Sequence, residues 1–233
     1  MTAERNSIGQ SVGEVLHAWT GAQFPSPEPI VGRYCRVEPL DPRRHTDDLF
    51  EANITDPTGA NWTYLPYGPF ATLDAYEAWV ASVSASDDPM FFAIVDLETQ
   101  KASGVASLLR TSTEDGSTEV GHINFSPLLQ RTRASTESMY LLMARVFDVW
   151  GYRRYEWKCN ALNAPSMAAA RRLGFTFEGT HRKAKVVKGR NRDTAWFSIT
   201  DEEWPTIRAR FQRWLEPTNF DDAGRQITPL RLA

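Results

Sequence analysis

Residues 121–135 read GHINFSPLLQRTRAS, and the change of period inside this stretch decides how the rest of the chain is read. Its first part continues an alternating run, EVGHINF, with the period of two expected of a strand. Ser126 and Pro127 break that run, and QRTRAS follows with small and polar residues. TESMYLLMARVFDVW then repeats apolar residues at helical spacing. A strand that passes through such a loop into a helix aims the helix's first, unpaired N–H groups at the loop mouth. The helix dipole adds partial positive charge there, so a phosphate is the natural guest. Strand-loop-helix joints are far commoner than anion sites, so the joint marks a place to look.

Upstream, residues 90–97, 102–110 and 117–125 read as a three-strand meander with turns at ETQK and EDGS. Before it, RYCRVEPL at 33–40 alternates as a first strand. Asp41 with Pro42 is a helix cap with proline at the first helical position, opening a helix to about 53. The segment DPTGANWTYLPYGPF is too rich in Gly, Pro and aromatics for either element, and Thr72 caps a second helix to residue 84.

Downstream, the long helix runs from about 132 to 150 and stops at Gly151. A strand at 154–159 follows, then an alanine-rich helix at 164–173 ended by Gly174. Strands at 176–187 and 194–200 are joined by KGRNRD, and Asp201 is the expected cap of a last helix carrying Trp204, Ile207, Phe211 and Trp214. Residues 11–20 read as a short helix within an extension, 1–30, that FPSPEPI terminates. Its Trp and Phe predict that it packs on the main body. Residues 31–216 then form one mixed α/β domain and 217–233 a peripheral tail.

The bulk numbers exclude several classes. The formal net charge of −3 over 233 residues gives no reason to expect a nucleic-acid polymer as partner. No apolar run approaches a membrane span, and the N-terminus has no apolar signal core, which points to a cytoplasmic protein without a membrane partner. Cys35 and Cys159 have no metal-ligand spacing and sit on separate strand-like segments, so no metal site is expected and a reducing compartment is the simpler reading.

The order of elements, together with EVGHINFSP, QRTRAS, LNAPS, RRLGFTFEG and KGRNRDTAWFSI, resembles the GNAT N-acetyltransferase superfamily, and within it the RimJ/RimL-like branch. The resemblance spans roughly residues 32–214. It implies an acyl-CoA N-acyltransferase fold, a mixed and mostly antiparallel sheet of about seven strands, splayed at its centre and flanked by helices. It further implies acetyl-CoA as cofactor, CoA as product, direct transfer to a primary amine through a ternary complex, and a monomer or homodimer. The acceptor is either a small amine, amino-acid-like or aminoacyl-nucleotide-like, or a protein α-amine. Transfer of another acyl group and a non-catalytic acyl-CoA sensor or interaction module are the competing readings.

By the same resemblance, backbone groups of Ile123, Asn124 and Phe125 meet the pantetheine arm, and Gln130, Arg131, Thr132, Arg133, Ala134 and Ser135 form the pyrophosphate loop. The family customarily has glycines where Arg133 and Ser135 stand, because bare backbone approaches phosphate closely. Here arginines and hydroxyls can compensate with charge-assisted bonds. Asn163 reads as an N-cap by position, and the resemblance adds a bond to the pantetheine arm. Ser166 becomes the candidate proton donor to the leaving thiolate, since Ala170 stands where many relatives have a tyrosine. Cys159 reads as a buried structural thiol rather than a nucleophile.

Acceptor amines near pKa ~10 are mostly protonated at neutral pH, so the site needs a base or a water chain. Glu119 is the preferred base or water-orienting residue and His122 the second. Three residues apart on a strand, they should face opposite sides of the sheet, so that only one lines the cleft. Trp62, Tyr64 and Tyr67 are candidate walls of the acceptor pocket. Arg182 and Arg190, in a basic hairpin that otherwise reads as a solvated face, are candidates to hold an anionic group of the acceptor.

Overall fold

In the computed structural model, which describes residues 3–230, local sequence signals start the helices as anticipated. Asp41 accepts a hydrogen bond from the Arg43 N–H, and α1 runs Pro42–Ile54 with proline in its first turn. Thr72 accepts from the Ala75 N–H at the head of α2, Leu73–Ser84. Such caps contribute about 1 kcal/mol each, because they satisfy N–H groups that have no partner within the helix. Thr132 caps α3, Arg133–Ala144, which continues into a π-helical turn at Arg145–Val149. Asn163 caps α4, Ala164–Arg172, and α5 is Trp204–Trp214.

The cap of α5 differs from expectation. Glu203 rather than Asp201 precedes the helix, and its carboxylate accepts from the N–H and hydroxyl of Thr200. Pro205 belongs to the first turn, where its lack of an N–H costs nothing.

The strands are β1 (Ala3–Arg5), β2 (Ser11–Gly13), β3 (Ile30–Val31), β4 (Cys35–Pro39) and β5 (Met90–Asp96). They continue with β6 (Ala102–Ser112), β7 (Ser117–Phe125), β8 (Arg154–Asn160), β9 (Thr176–Val187) and β10 (Arg190–Thr200). Strands β1 and β2 pair with each other alone, where residues 11–20 had read as a helix. Gly9 at φ +80° and the Asn6 side chain, which accepts from the N–H groups of Ile8 and Gln10, close a turn instead. Trp19 still anchors this extension, donating its indole N–H to the Glu114 carbonyl. Phe24 stays exposed.

The remaining eight strands form one sheet in the order β3-β4-β5-β6-β7-β8-β10-β9, antiparallel except for β7 with β8. The eighth strand beyond the anticipated seven or so is β3, only two residues long. Alternation along β5 divides the core: Phe92 and Ile94 join α3 and α5 on one face, and Phe91, Ala93 and Val95 join α1 and α2 on the other. Among the described residues no helix is long and apolar enough to cross a membrane, and no group of three or more His, Cys, Asp or Glu side chains is placed to hold a metal.

Candidate active site

Strands β7 and β8 pair only over Ser117–Val120 and Arg154–Trp157. Beyond Val120, β7 remains paired with β6 alone, so the sheet opens between its two central strands. A cleft of about 1620 Å³ occupies the opening. One end reaches the start of α3 and the other the β9–β10 hairpin, with Asn163 and Ser166 of α4 along its length.

At the α3 end, Ser126 accepts from the N–H groups of Leu129 and Gln130, and Arg131 takes the left-handed conformation at φ +62°. The Thr132 hydroxyl donates to the Leu129 carbonyl and accepts from the Ser135 N–H, while the Ser135 hydroxyl donates to the Thr132 carbonyl. Both hydroxyls are therefore engaged within the loop. Gln130 donates to the Phe125 carbonyl, which also accepts from Asn61. These contacts leave the first-turn N–H groups of Arg133 and Ala134 and the Arg131 guanidinium for a guest. Arg133 stacks against Tyr34 and Phe220, 4.7 and 5.2 Å from their ring centroids. Phe220 and Gln226 bring the supposedly peripheral tail to the cleft wall.

Arg172 also lines this end, and sequence reasoning missed it. It donates to the Thr136 hydroxyl at 3.1 Å, packs on Trp214 and has no carboxylate within ion-pair distance among the described residues. Burial holds its guanidinium below the ordinary value. In the sequence it reads as a last-turn cation favoured by the helix dipole, which gives no hint of a cleft.

Of the other residues assigned to the cofactor, Ile123, Ala134 and Asn163 line the cleft, but the Asn124 side chain does not. It is buried with no partner among the described residues for either amide atom. Asn163 caps α4 by accepting from the Ser166 N–H. Ser166 Oγ lies 3.0 Å from Trp157 Nε1. Indole nitrogen only donates, so Ser166 is the acceptor there and keeps its own proton to give. Cys159 reaches the same cleft, yet burial pushes its thiol up and keeps it protonated.

Glu119 and His122 both line the cleft, contrary to strict alternation. A register shift between β6 and β7, with His122 at φ +50°, restores the ring to the side of Glu119. Glu119 is buried, held by both guanidinium arms of Arg110 at 2.6 and 2.8 Å and by Lys158 at 3.0 Å. Its two oxygens are thus engaged, which leaves little room for the role of free base. His122 Nδ1 lies 3.1 Å from the Tyr67 hydroxyl. Desolvation, aided by Arg110, Lys185 and Arg192, lowers the imidazole to about 4, so the ring is neutral at neutral pH.

The aromatic candidates separate. Tyr64 lines the cleft and donates its hydroxyl to the Leu162 carbonyl. Trp62 is buried in the α1–α2 core against Phe70 and Tyr76, and Tyr67 stands behind His122 rather than on the wall. Arg182 and Arg190 are exposed and outside the cleft. Lys185 and Arg192 of the same hairpin line it instead.

Residues 36–176 match the family profile described as the acetyltransferase (GNAT) domain. A GCN5-related N-acetyltransferase from Brucella melitensis is 46% identical, with a TM-score of 0.90 over 92% of this chain and 97% of that one. A probable acetyltransferase (GNAT family) from Chromobacterium violaceum is 42% identical, with a TM-score of 0.77 over 83% of this chain and 96% of that one. The Microcin C7 self immunity acetyltransferase MccE, solved in complex with acetyl-CoA and AMP, shares the fold at 18% identity. Its TM-score is 0.65, over 75% of this chain and 97% of that one. No curated protein matches the chain.

Proposed function

The chain belongs to the GNAT acetyltransferase family, and we propose that within it the protein is an acetyl-CoA-dependent N-acetyltransferase of the RimJ/RimL-like branch, acting on a primary amine. The observation that carries this reading is the opening between β7 and β8, with the free N-terminus of α3 and two arginines at one mouth and a titratable pair at the other. The donors at that mouth fit a pyrophosphate: the N–H groups of Arg133 and Ala134 with the Arg131 and Arg172 guanidiniums. Arg133 and Ser135 stand where glycines are customary, and Arg172 adds a cation that no carboxylate neutralises among the described residues.

When bound, acetyl-CoA would supply an acyl group already activated as a thioester. Asn163 and the edge of β7 from Gly121 to Phe125 would hold its arm along the cleft. The Ser166 hydroxyl, oriented by the Trp157 indole, keeps a proton available for a departing thiolate. His122 is the better candidate to relay a proton from the amine to water, since a ring held at about 4 is free to take a proton and does not keep it. Its ring stays neutral, and Nδ1–H donation to Tyr67 would leave the Nε2 lone pair open to the cleft. Glu119 acts as a positioning residue, keeping Arg110 and Lys158 fixed.

Calorimetric titration with acetyl-CoA tests the cofactor half, and a thiol-release assay over an amine panel tests transfer. Micromolar binding followed by amine-dependent thiol release supports the enzyme. Absence of binding to acetyl-CoA, CoA and a longer acyl-CoA would sink it. Binding with no release over the whole panel would favour the acyl-CoA sensor.

A further inference from the structure

Lys185 and Arg192 are direct cross-strand partners in the β9–β10 ladder, and both line the cleft. Like charges placed opposite each other on neighbouring strands repel, so this pairing is unfavourable unless something compensates it. Glu119 attracts both from a distance, but no carboxylate among the described residues pairs with either. The nearby Glu119 is already held by Arg110 and Lys158, and Glu156 by Lys158 and Arg154. Among the described residues neither Lys185 nor Arg192 has a carboxylate within ion-pair distance, and Arg192 Nε is a fully buried donor without an acceptor. Burial holds both groups below their ordinary values, and the charge of Arg110 presses on each. The contrast within the same hairpin is one of position: Arg182, Lys183 and Arg190 are exposed and outside the cleft, whereas Lys185, though exposed along its length, reaches the cleft wall beside the half-buried Arg192. A buried, unpaired N–H on a cation in a cleft calls for an anion.

We propose that Lys185 and Arg192 form an anion pocket in the acceptor site, so that the amine acetylated carries its own carboxylate or phosphate close to the amino group. The inference rests on the acetyltransferase reading and narrows it to small amino-carboxylates and phosphoryl amines. Neutral monoamines and neutral peptide N-termini are excluded. The anion docks between the two cations, which directs the amino group toward His122, whose ring feels both charges. Transfer then forms the N–C bond as the C–S bond of acetyl-CoA breaks. One proton leaves the nitrogen and one reaches the sulfur.

The test titrates the CoA-saturated protein with glycine, aspartate, glutamate and phosphoethanolamine. Glycinamide, ethanolamine and a neutral tripeptide serve as uncharged comparisons. At least one anionic amine should bind roughly tenfold or more tightly than its neutral counterpart, the margin typical of losing a charge-assisted pair. Carboxylate and phosphate members of the set distinguish the two anion sources. K185M/R192M should abolish the preference while leaving acetyl-CoA affinity unchanged, and K185R/R192K should restore it. Equal binding of the neutral compounds, a preference that survives in K185M/R192M, or no binding by any anionic amine each overturns the proposal. Failure of acetyl-CoA itself to bind is a separate result, and it removes the acetyltransferase reading.

Discussion

The Tyr67 and His122 rings lie parallel, 5° apart with centroids separated by 5.6 Å, and the Tyr67 hydroxyl sits 3.1 Å from His122 Nδ1. The contact joins the aromatic cluster under α2 to the floor of the cleft, so the state of this histidine is a property of packing as much as of the site. Its ring is lowered from 6.5 to about 4, by desolvation first and then by Arg110, Lys185 and Arg192. Between those values the unfolded chain binds a proton that the folded chain does not, so stability rises with pH through that window. It is complete above about pH 6.5 and is lost as pH falls toward 4. Discounted for the ring's partial exposure, the contribution is about 2 kcal/mol. Urea unfolding of H122Q against wild type at a series of pH values should show the mutant lacking this acid limb; parallel curves would refute it.

Glu137 on α3 accepts from the backbone N–H groups of Arg33, Tyr34 and Cys35 at 2.8, 2.6 and 2.8 Å, pinning the start of β4 to the helix that opens the cleft. A Cβ on Gly32 would fall on that carboxylate. G32A should therefore cost about 1–3 kcal/mol by forcing the carboxylate aside. E137Q should cost more, because an amide NH₂ would face a donor. Thermal melts of the two variants decide the matter; melting temperatures equal to wild type would show that the loop yields freely.

Arg131 occupies the left-handed region at φ +62° in the candidate pyrophosphate loop. Glycine removes that strain, so R131G should leave stability unchanged or raise it by up to about 1 kcal/mol. Loss of the guanidinium should nevertheless weaken acetyl-CoA binding and flatten its dependence on salt. Unchanged affinity would take the side chain out of the site. The opposite signs separate a functional residue from a merely tolerated one.

Ser166 accepts from the Trp157 indole and retains its own proton. S166A should lower kcat by about tenfold to a hundredfold, below the usual range for general acids because water can substitute. Acetyl-CoA affinity should stay near wild type. A loss of affinity with kcat intact would assign Ser166 to binding instead.

What was legible in advance were features with a local physical cause. Asp41, Thr72 and Asn163 cap the helices they were expected to cap, because a short side-chain oxygen two or three residues before a free N–H needs no help from the rest of the fold. Residues 11–20 failed that reasoning, since Gly9 and Asn6 closed a hairpin that the apolar spacing did not foretell. Glu119 and His122 failed it in another way. Alternation separates residues three apart only while the register holds, and the shift beside Gly121 puts both into one cleft.

The sequence by itself determined the order of elements from β4 to α5 and the loop from which α3 starts, because period, caps and turn residues act over a few positions; the family was carried by the resemblance of its motifs. The tertiary structure alone decided which charges are free. Arg110 is paired with Glu119 and Lys158 with Glu119 and Glu156, while Arg172, Lys185 and Arg192 face the cleft with no carboxylate partner among the described residues. Pairing joins side chains from strands far apart in sequence. A row of basic residues therefore carries no mark of which cation is spent and which awaits an anion.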